Sequence, residues 1–530
     1  MHIERVVVEN YRCLRRADVV LNASLNILVG DNECGKSTLL EAIHLALTGQ
    51  LGGRPIATEL HPYLFNTEAV TEFIDSYLRK QGVPPPAIMI EIYLAYEKQL
   101  ASLKGTNNSR KEDTSGIKMS IELNQDFAEE FEAYVADPTA MRTLPVEYYV
   151  VRWQHFGDTD VLARTIPFKS SFVDASTIRN NTSANRYVID ILKEGLSARD
   201  QVDLALSYRI MKDRFLSEAR VAKINAELAK MTGRITDKTL TVSLDTSARA
   251  SWEVGVTPHL DDIPITLVGK GEQNSVKVKL ALESSGESHL VLIEEAENHL
   301  SFSRLNELIG HISANRNDRQ LIITTHSSFV LNKLGLEAVL LFNRGLSITL
   351  RDLSPETQGY FLKLPGYDTL RLILARRAIL VEGPSDELIV QRAFQMLKGH
   401  LPLEAGVDVI SINALAFKRF LEIADKLDRE VDVVTDNDGD VIRLEQKYAD
   451  YAGNQHIRVR FDRDTRYPTL EPQLLKANGR TVVNAILGTD YPDDNSLLEY
   501  MKANKTDCAL RFFETRIKWD IPSYIRDAIA

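Results

Sequence analysis

The sequence predicts an α/β protein with two sheet-containing units and a helical segment set into the first. Three observations carry that expectation. The apolar run LNILVG feeds directly into a glycine-containing loop and the helical run TLLEAIHLAL; strand and helix alternation restarts at Arg377; and between Tyr187 and about Met231 apolar residues recur every three or four positions. At 530 residues the chain exceeds the roughly 250 to 300 residues at which one hydrophobic core stops growing, so two or three domains are expected.

Taken in order, IERVVVENY, ADVVL and LNILVG read as strands rich in β-branched residues, the third running into the loop and helix. AIMIEIYLAYE alternates as a strand after Pro84–Pro86, and the polar stretch Lys104–Gly116 reads as a loop or mobile insertion. VEYYVVRW is a further strand. From Tyr187 the stripe Leu204, Tyr208, Met211, Phe215, Val221, Ile224 and Leu228 marks helix, with core packing the commoner use of such a stripe and a subunit interface the other. Strand character resumes at LTVSL near Leu240 and continues through HLVLIEEAE, QLIITTH and the ITLRDL region. The second unit then runs ARRAILVEG (strand), a helix from Pro384, GVDVISIN (strand), a helix over Phe417–Leu427 and EVDVVTDND (strand), which predicts a parallel sheet.

Composition excludes several classes. Apolar content of 44% and charged content of 26% fit packed globular domains and not a disordered or fibrous chain. No apolar run approaches the ~20 residues of a membrane span, and MHIERVVVENYR lacks the layout of a signal peptide, so a cytoplasmic protein with no membrane partner is expected. Cys13, Cys34 and Cys508 form no CxxC pair, against a disulfide framework or thiolate zinc site. A net charge of −11 leaves room for nucleic acid only on local basic strips. Those are Lys418 with Arg419, the segment Arg458–Arg466, and Arg376 with Arg377, each weighed first as a solvated face.

Gly30-Asp31-Asn32-Glu33-Cys34-Gly35-Lys36-Ser37-Thr38 matches GxxxxGK[ST] between a strand and a helix. Backbone N–H groups of such a loop cradle phosphates, Lys36 reaches the terminal phosphates and Ser37 offers a hydroxyl to Mg²⁺, which points to ATP. HLVLIEEAENHLS ends a strand run at Glu294 and Glu295, and QLIITTHSS ends another at His326. In those positions Glu294 can hold Mg²⁺, Glu295 can polarise the attacking water and His326 can approach the γ-phosphate. Gly269–Asn274, containing Lys270 and Gly271, reads as a phosphate-facing loop ahead of the helix SVKVKLALES.

This order resembles the ABC ATPases of the recombination and chromosome-maintenance type, whose N-terminus often carries a motif like Asn10-Tyr11-Arg12. The resemblance implies that Gly269–Asn274 is the signature loop, completing the ATP site of a second subunit. Glu294 stands where Asp is common and Lys270 where Ser is usual, so ATP binding is the firmer expectation than fast hydrolysis.

In the C-terminal unit, ILVEGPSDE places Glu382 at a strand end and Asp386 one helical turn later. VDVVTDNDGD brings Asp436 and Asp438 to another strand end, with Gly439 making the turn. Carboxylates gathered this way repel unless a cation lies between them, and Mg²⁺ or Mn²⁺ suits oxygen ligands. The pattern resembles the Toprim fold of topoisomerases, primases and certain nucleases, without the companion domains of the first two.

An ABC ATPase joined to a Toprim resembles the overcoming-lysogenisation-defect (OLD) endonucleases, a family that includes the Gabija defence nuclease and retron-associated effectors. The resemblance spans nearly the whole chain and implies boundaries at 1–185, 186–235 (helical insertion for dimerisation), 236–370 and 371–530. It also implies Glu471 in TLEPQLL as a further metal-site acid and Lys505 as the catalytic lysine, with Lys518 the competing candidate. Implied partners are DNA, a second or further copies of the chain, and either a UvrD-like helicase or a retron reverse transcriptase with its DNA. The function so implied is ATP-binding, divalent-metal-dependent DNA cleavage, by nicking or double-strand cutting, in antiviral defence; a non-cleaving DNA clamp or sensor in repair, or an ATPase effector acting on protein, are the alternatives.

Overall fold

A computed structural model describes the whole chain except residues 79–82, 136–142, 163–164, 175–187, 190–195, 231–237, 246–251, 284–288, 316–318, 344, 351–352, 365–368 and 413–415. The described residues form two compact units. One comprises Met1–Leu28, Glu33–Thr325 and Arg344–Leu346, the other Val29–Asn32, His326–Asn343 and Ser347–Ala530.

The first unit contains an antiparallel and a parallel sheet. In the antiparallel sheet, Ile3–Tyr11 lies between Leu14–Val20 and Ile88–Leu94, and Thr114–Leu123 follows, paired in turn with Tyr149–His155. The parallel sheet runs Ser170–Asp174, Leu290–Glu294, Gln320–Thr324, Leu25–Val29. Its strands at 25–29, 290–294 and 320–324 are buried at every position, as continuous apolar runs covered on both faces must be. Gln320 fastens one sheet to the other. Its buried amide accepts from Ile3 N–H at 2.8 Å and donates to the carbonyls of Ile3 (2.8 Å) and Asn22 (2.7 Å), so no buried polar group of the side chain is left over.

Three expectations need correction in this unit. The polar stretch from Lys104 is no mobile insertion. The fully buried Glu91 accepts from Ser109 N–H (2.8 Å), Ser109 Oγ (2.7 Å) and Tyr93 O–H (2.8 Å), and Thr114 already opens a ten-residue strand. A buried carboxylate needs such donors, and here the loop supplies them. LTVSL forms no strand. The backbone of Val242 is held instead by the Asn225 side chain, at 2.7 and 3.1 Å. Of the helical segment, residues 187, 190–195 and 231 lie outside the described residues; most of the rest forms Ala198–Ser217, started by a Ser197–Asp200 capping box, and Ala219–Ala229. Its apolar stripe is not core: Leu204, Met211, Phe215 and Ile224 are exposed, and Val221 is the buried member.

The second unit contains a four-stranded parallel sheet in the order Val407–Ser411, Arg377–Val381, Glu430–Val434, Ile457–Arg460. Ile379, Val381, Val409 and Val434 share a core with the helices Pro384–Lys398, Leu470–Leu487, Asp494–Ala503, Lys505–Glu514 and Ser523–Ile529. Phe417–Lys426 buries Phe417, Phe420, Leu421, Ile423 and Ala424. Crossover helices covering both faces of a parallel sheet match the alternation read from the sequence. Among the described residues no helix is long and apolar enough to cross a membrane.

Candidate functional site

The loop after strand Leu25–Val29 ends at Gly35, whose φ of 102° and position leave no room for a side chain. A Cβ there would meet Leu14 Cδ2 at 2.6 Å. Helix Lys36–Thr48 starts at once, so its free N–H groups face the loop. Lys36 is buried with Nζ 3.7 Å from Cys34 Sγ, Thr38 Oγ1 is 3.2 Å from Cys13 Sγ, and Ser37, Asn32 and Asp31 are exposed; Gly30 is buried. Beside them, Tyr11 O–H donates to Glu41, whose carboxylate also lies 2.9 Å from Arg12 Nε. Burial and the Glu41 charge push the Tyr11 hydroxyl far above the ordinary phenol range.

Glu294 closes strand Leu290–Glu294, which is separated from Leu25–Val29 by strand Gln320–Thr324, and is buried. Glu295 turns left-handed (φ 46°), donates its N–H to Thr324 Oγ1 at 2.9 Å and accepts from Asn298 Nδ2 at 2.5 Å. His326 follows strand Gln320–Thr324 by two residues and precedes Ser327, which caps helix Ser328–Leu334. Sequence reasoning passed over Asn298 and Glu297, the latter accepting from Thr325 Oγ1 at 2.9 Å, because single polar residues in a turn carry no spacing signal.

The segment Gly269–Asn274 is not a loop. Helix begins at Lys270 and runs to Glu283. The side chains that could have favoured a loop are engaged locally: Gln273 Nε2 donates to Val268 O (2.8 Å) and Asn274 Nδ2 to Asn298 O (3.1 Å). Lys270 remains exposed, and Gly271 packs so tightly that a Cβ would stand 2.3 Å from His299 O.

In the second unit the acids gather from four places. Glu382 leaves strand Arg377–Val381 and its Oε1 accepts from Thr435 Oγ1 (2.5 Å) and Asp436 N–H (2.9 Å). Asp386 lies in the first turn of Pro384–Lys398. Burial, then the Glu382 charge, raises Asp386 to about 7. Burial raises Asp436 to about 9, reinforced by Glu382, Asp386, Glu471 and Asp438. Asp438 itself is exposed, with φ 48°. Glu471, in the first turn of Leu470–Leu487, is buried; its Oε2 accepts from Thr469 Oγ1 at 2.9 Å and its Oε1 lies 3.3 Å from Lys505 Nζ. Lys518 is exposed, with no ion pair among the described residues.

Two residues that the sequence reading missed hold this arrangement. Thr435 orients Glu382, and buried Asn437 donates to Asp462 O (2.7 Å) and Asp464 O (3.2 Å) while accepting from Gly439 N–H (2.8 Å). In T-D-N-D-G they read as turn residues, and only the packed structure gives them partners. Among the described residues no three His, Cys, Asp or Glu side chains form a ready-made metal cage. The donor set is nonetheless all carboxylate, and mutual repulsion that a divalent cation would relieve is what raises Asp386 and Asp436 after burial.

Comparison with known proteins gives matches to three family models. "AAA domain" covers residues 5–140, "AAA domain, putative AbiEii toxin, Type IV TA system" covers 181–332, and "Overcoming lysogenization defect protein-like, TOPRIM domain" covers 373–438. No curated protein matches. Similar solved structures include the SMC head domain from Thermotoga maritima (12% identity, 66% of this chain and 97% of that chain, TM-score 0.29). Others are the Smc head with an extended coiled coil bound to the C-terminal domain of ScpA from Pyrococcus furiosus (13%, 68% and 99%, 0.33) and the recombination mediator RecF with ATP (12%, 66% and 99%, 0.34). At these scores the likeness carries no argument, and the fold rests on strand order and the family models. Two AAA matches followed by the Toprim match in one chain make this protein an AAA ATPase domain fused to an OLD-like Toprim domain, the architecture of the OLD family nucleases.

Proposed function

We propose that the chain is an ATP-binding, divalent-metal-dependent DNA endonuclease acting as a dimer or higher oligomer. The observation that supports cleavage best is the set of coupled carboxylates Glu382, Asp386, Asp436 and Glu471 with Lys505 seated on Glu471. Glu382, Asp386, Asp436, Asp438 and Glu471 would hold Mg²⁺ or Mn²⁺, which when bound activates water and offsets charge on the phosphodiester. Thr435 and the Asp436 N–H fix the Glu382 carboxylate, and Asn437 fixes the turn that presents Asp436 and Asp438. Lys505, half exposed, is available to neutralise charge developing at the scissile phosphate.

In the ATPase head, Gly30, Asn32, Gly35, Lys36, Ser37 and Thr38 cradle the nucleotide, Glu294 serves its Mg²⁺, and Glu295 and His326 attend the γ-phosphate. Lys270 and Gly271, at a helix start, face the nucleotide of a second copy. The exposed apolar helices Ala198–Ser217 and Ala219–Ala229 are the surface we assign to pairing of copies, within the division 1–185, 186–235, 236–370 and 371–530. Family resemblance supports a setting in phage defence, alongside a UvrD-like helicase or a retron reverse transcriptase with its DNA. Incubating supercoiled plasmid with Mn²⁺ and with EDTA tests the proposal. Nicking or linearisation with Mn²⁺ alone is the expected result, and salt-sensitive binding without cleavage would favour a DNA clamp.

A further inference from the structure

The arginines of the Arg458–Arg466 segment fall into two sets. Arg463 and Arg466 each have a separate carboxylate, Glu445 and Asp464, both at 2.8 Å, the latter shared with Lys476. Arg458 and Arg460 do not. Together with Arg377 they converge on Asp432, the one acid paired with them among the described residues, at 3.2, 3.1 and 3.0 Å. Asp432 is fully buried, so one carboxylate faces three guanidinium groups and leaves a surplus of two positive charges. The cluster is short of acceptors too. Arg377 reaches the Ala528 carbonyl at 2.7 Å, yet the buried Nε atoms of Arg377 and Arg458 have no hydrogen-bond partner among the described residues. Half-buried like charges are costly without a counter-anion.

Placement gives that anion a direction. Strand Ile457–Arg460 is an edge of the parallel sheet, and its register sets Arg458 opposite Asp432 and Arg460 opposite Val434. Arg460 therefore stands two residues short of Asp436 along the sheet, toward the carboxylate end. The two arginines alternate onto one face about 7 Å apart. Their side chains remain 38% and 31% exposed. A row of guanidinium forks with that spacing suits successive phosphates of a nucleic-acid strand, which an isolated small anion would not fill.

We propose that Arg458 and Arg460 bind consecutive backbone phosphates of DNA and lead the strand to the carboxylate cluster. This rests on the nuclease reading given above. The test is fluorescence anisotropy of a short labelled DNA duplex with the full chain in EDTA, repeated across a series of KCl concentrations. Arg458→Gln and Arg460→Gln should each weaken binding about three- to tenfold and lower the slope of log affinity against log salt by about 0.9, the loss of one phosphate contact. Arg463→Gln, whose guanidinium is already paired, should change affinity less than about twofold. Should Arg458→Gln fail to fold, Arg460→Gln decides alone, its fold checked by ATP binding and melting temperature. A folded Arg460→Gln with the parent's affinity and slope overturns the strip and leaves the nuclease reading standing. A parent chain with no salt-sensitive affinity for DNA overturns both.

Discussion

Lys505 Nζ stands 3.3 Å from Glu471 Oε1, joining the first residue of helix Lys505–Glu514 to the first turn of helix Leu470–Leu487. The carboxylate is buried and the ammonium half exposed. The lysine is thereby held at the edge of the acid cluster by a partner that is itself coupled to Asp386 and Asp436.

Lys505→Ala should lower DNA cleavage by about 100-fold or more while divalent-metal affinity changes little, because the charge it offsets develops only during cleavage. Lys518→Ala, at an exposed position away from any described ion pair, should cut at the parent's rate. Single-turnover cleavage with Mn²⁺, beside calorimetric metal binding, measures both. Equal losses from the two substitutions would remove Lys505 from its assigned role.

Asp438→Asn, which keeps a residue that tolerates φ 48° where Ala would be strained, should abolish cleavage, leave ATP binding unaltered and leave the metal-free melting temperature equal or higher, since a charge repelling Asp436 has gone. Plasmid cleavage, nucleotide binding and thermal melting in EDTA give the three readings. Parent-like cutting by this variant sinks the metal-site assignment.

The raised carboxyl groups set a pH dependence. Asp386 and Asp436 go from the ordinary 3.8 to about 7 and about 9, so the fold favours their protonated forms. Their contribution to stability is present below about pH 4 and is lost as pH rises through about 7 and then about 9. Metal-free protein should therefore lose stability over that range. A divalent ion binds the deprotonated carboxylates, so the Mg²⁺-induced rise in melting temperature should grow with pH, with apparent affinity gaining up to about a hundredfold per unit below pH 7, where both protons are displaced, and up to about tenfold per unit between 7 and 9. Melting curves at pH 6 and pH 8.5, with and without Mg²⁺, check the sign; a larger Mg²⁺ effect at the lower pH contradicts it.

Lys36→Ala should weaken ATP binding by about 100-fold or more, as loss of a charge-assisted phosphate contact in a buried position predicts, and leave Mn²⁺ binding unchanged. Equilibrium binding of a fluorescent ATP analogue reads the first effect. Unchanged affinity would show that the loop Gly30–Thr38 does not hold nucleotide.

Lys270 bears on assembly. If it faces the partner's nucleotide, mixing a Lys36→Ala subunit with a Lys270→Ala subunit restores about a quarter to a half of ATPase activity, though each homodimer is inactive. No recovery in verified mixed dimers contradicts the arrangement in trans.

The sequence by itself determined the local chemistry. The loop at Gly30–Gly35 needs a glycine where φ is 102° and a Cβ would collide, and the acids Glu382 and Asp436 end strands whose apolar runs could only be buried. Such features are legible because neighbours along the chain create them. Family resemblance, and not spacing, nominated Glu471 and Lys505. Tertiary structure alone decided what depends on distant partners: the pairing of Lys505 with Glu471, the grip of Asn437 on Asp462 and Asp464, and the three arginines drawn to Asp432. It also decided that Lys270 starts a helix and that Leu204, Met211, Phe215 and Ile224 of the apolar stripe are exposed. Periodicity says which residues share a face, but whether that face meets another surface is settled by packing between segments far apart in the chain.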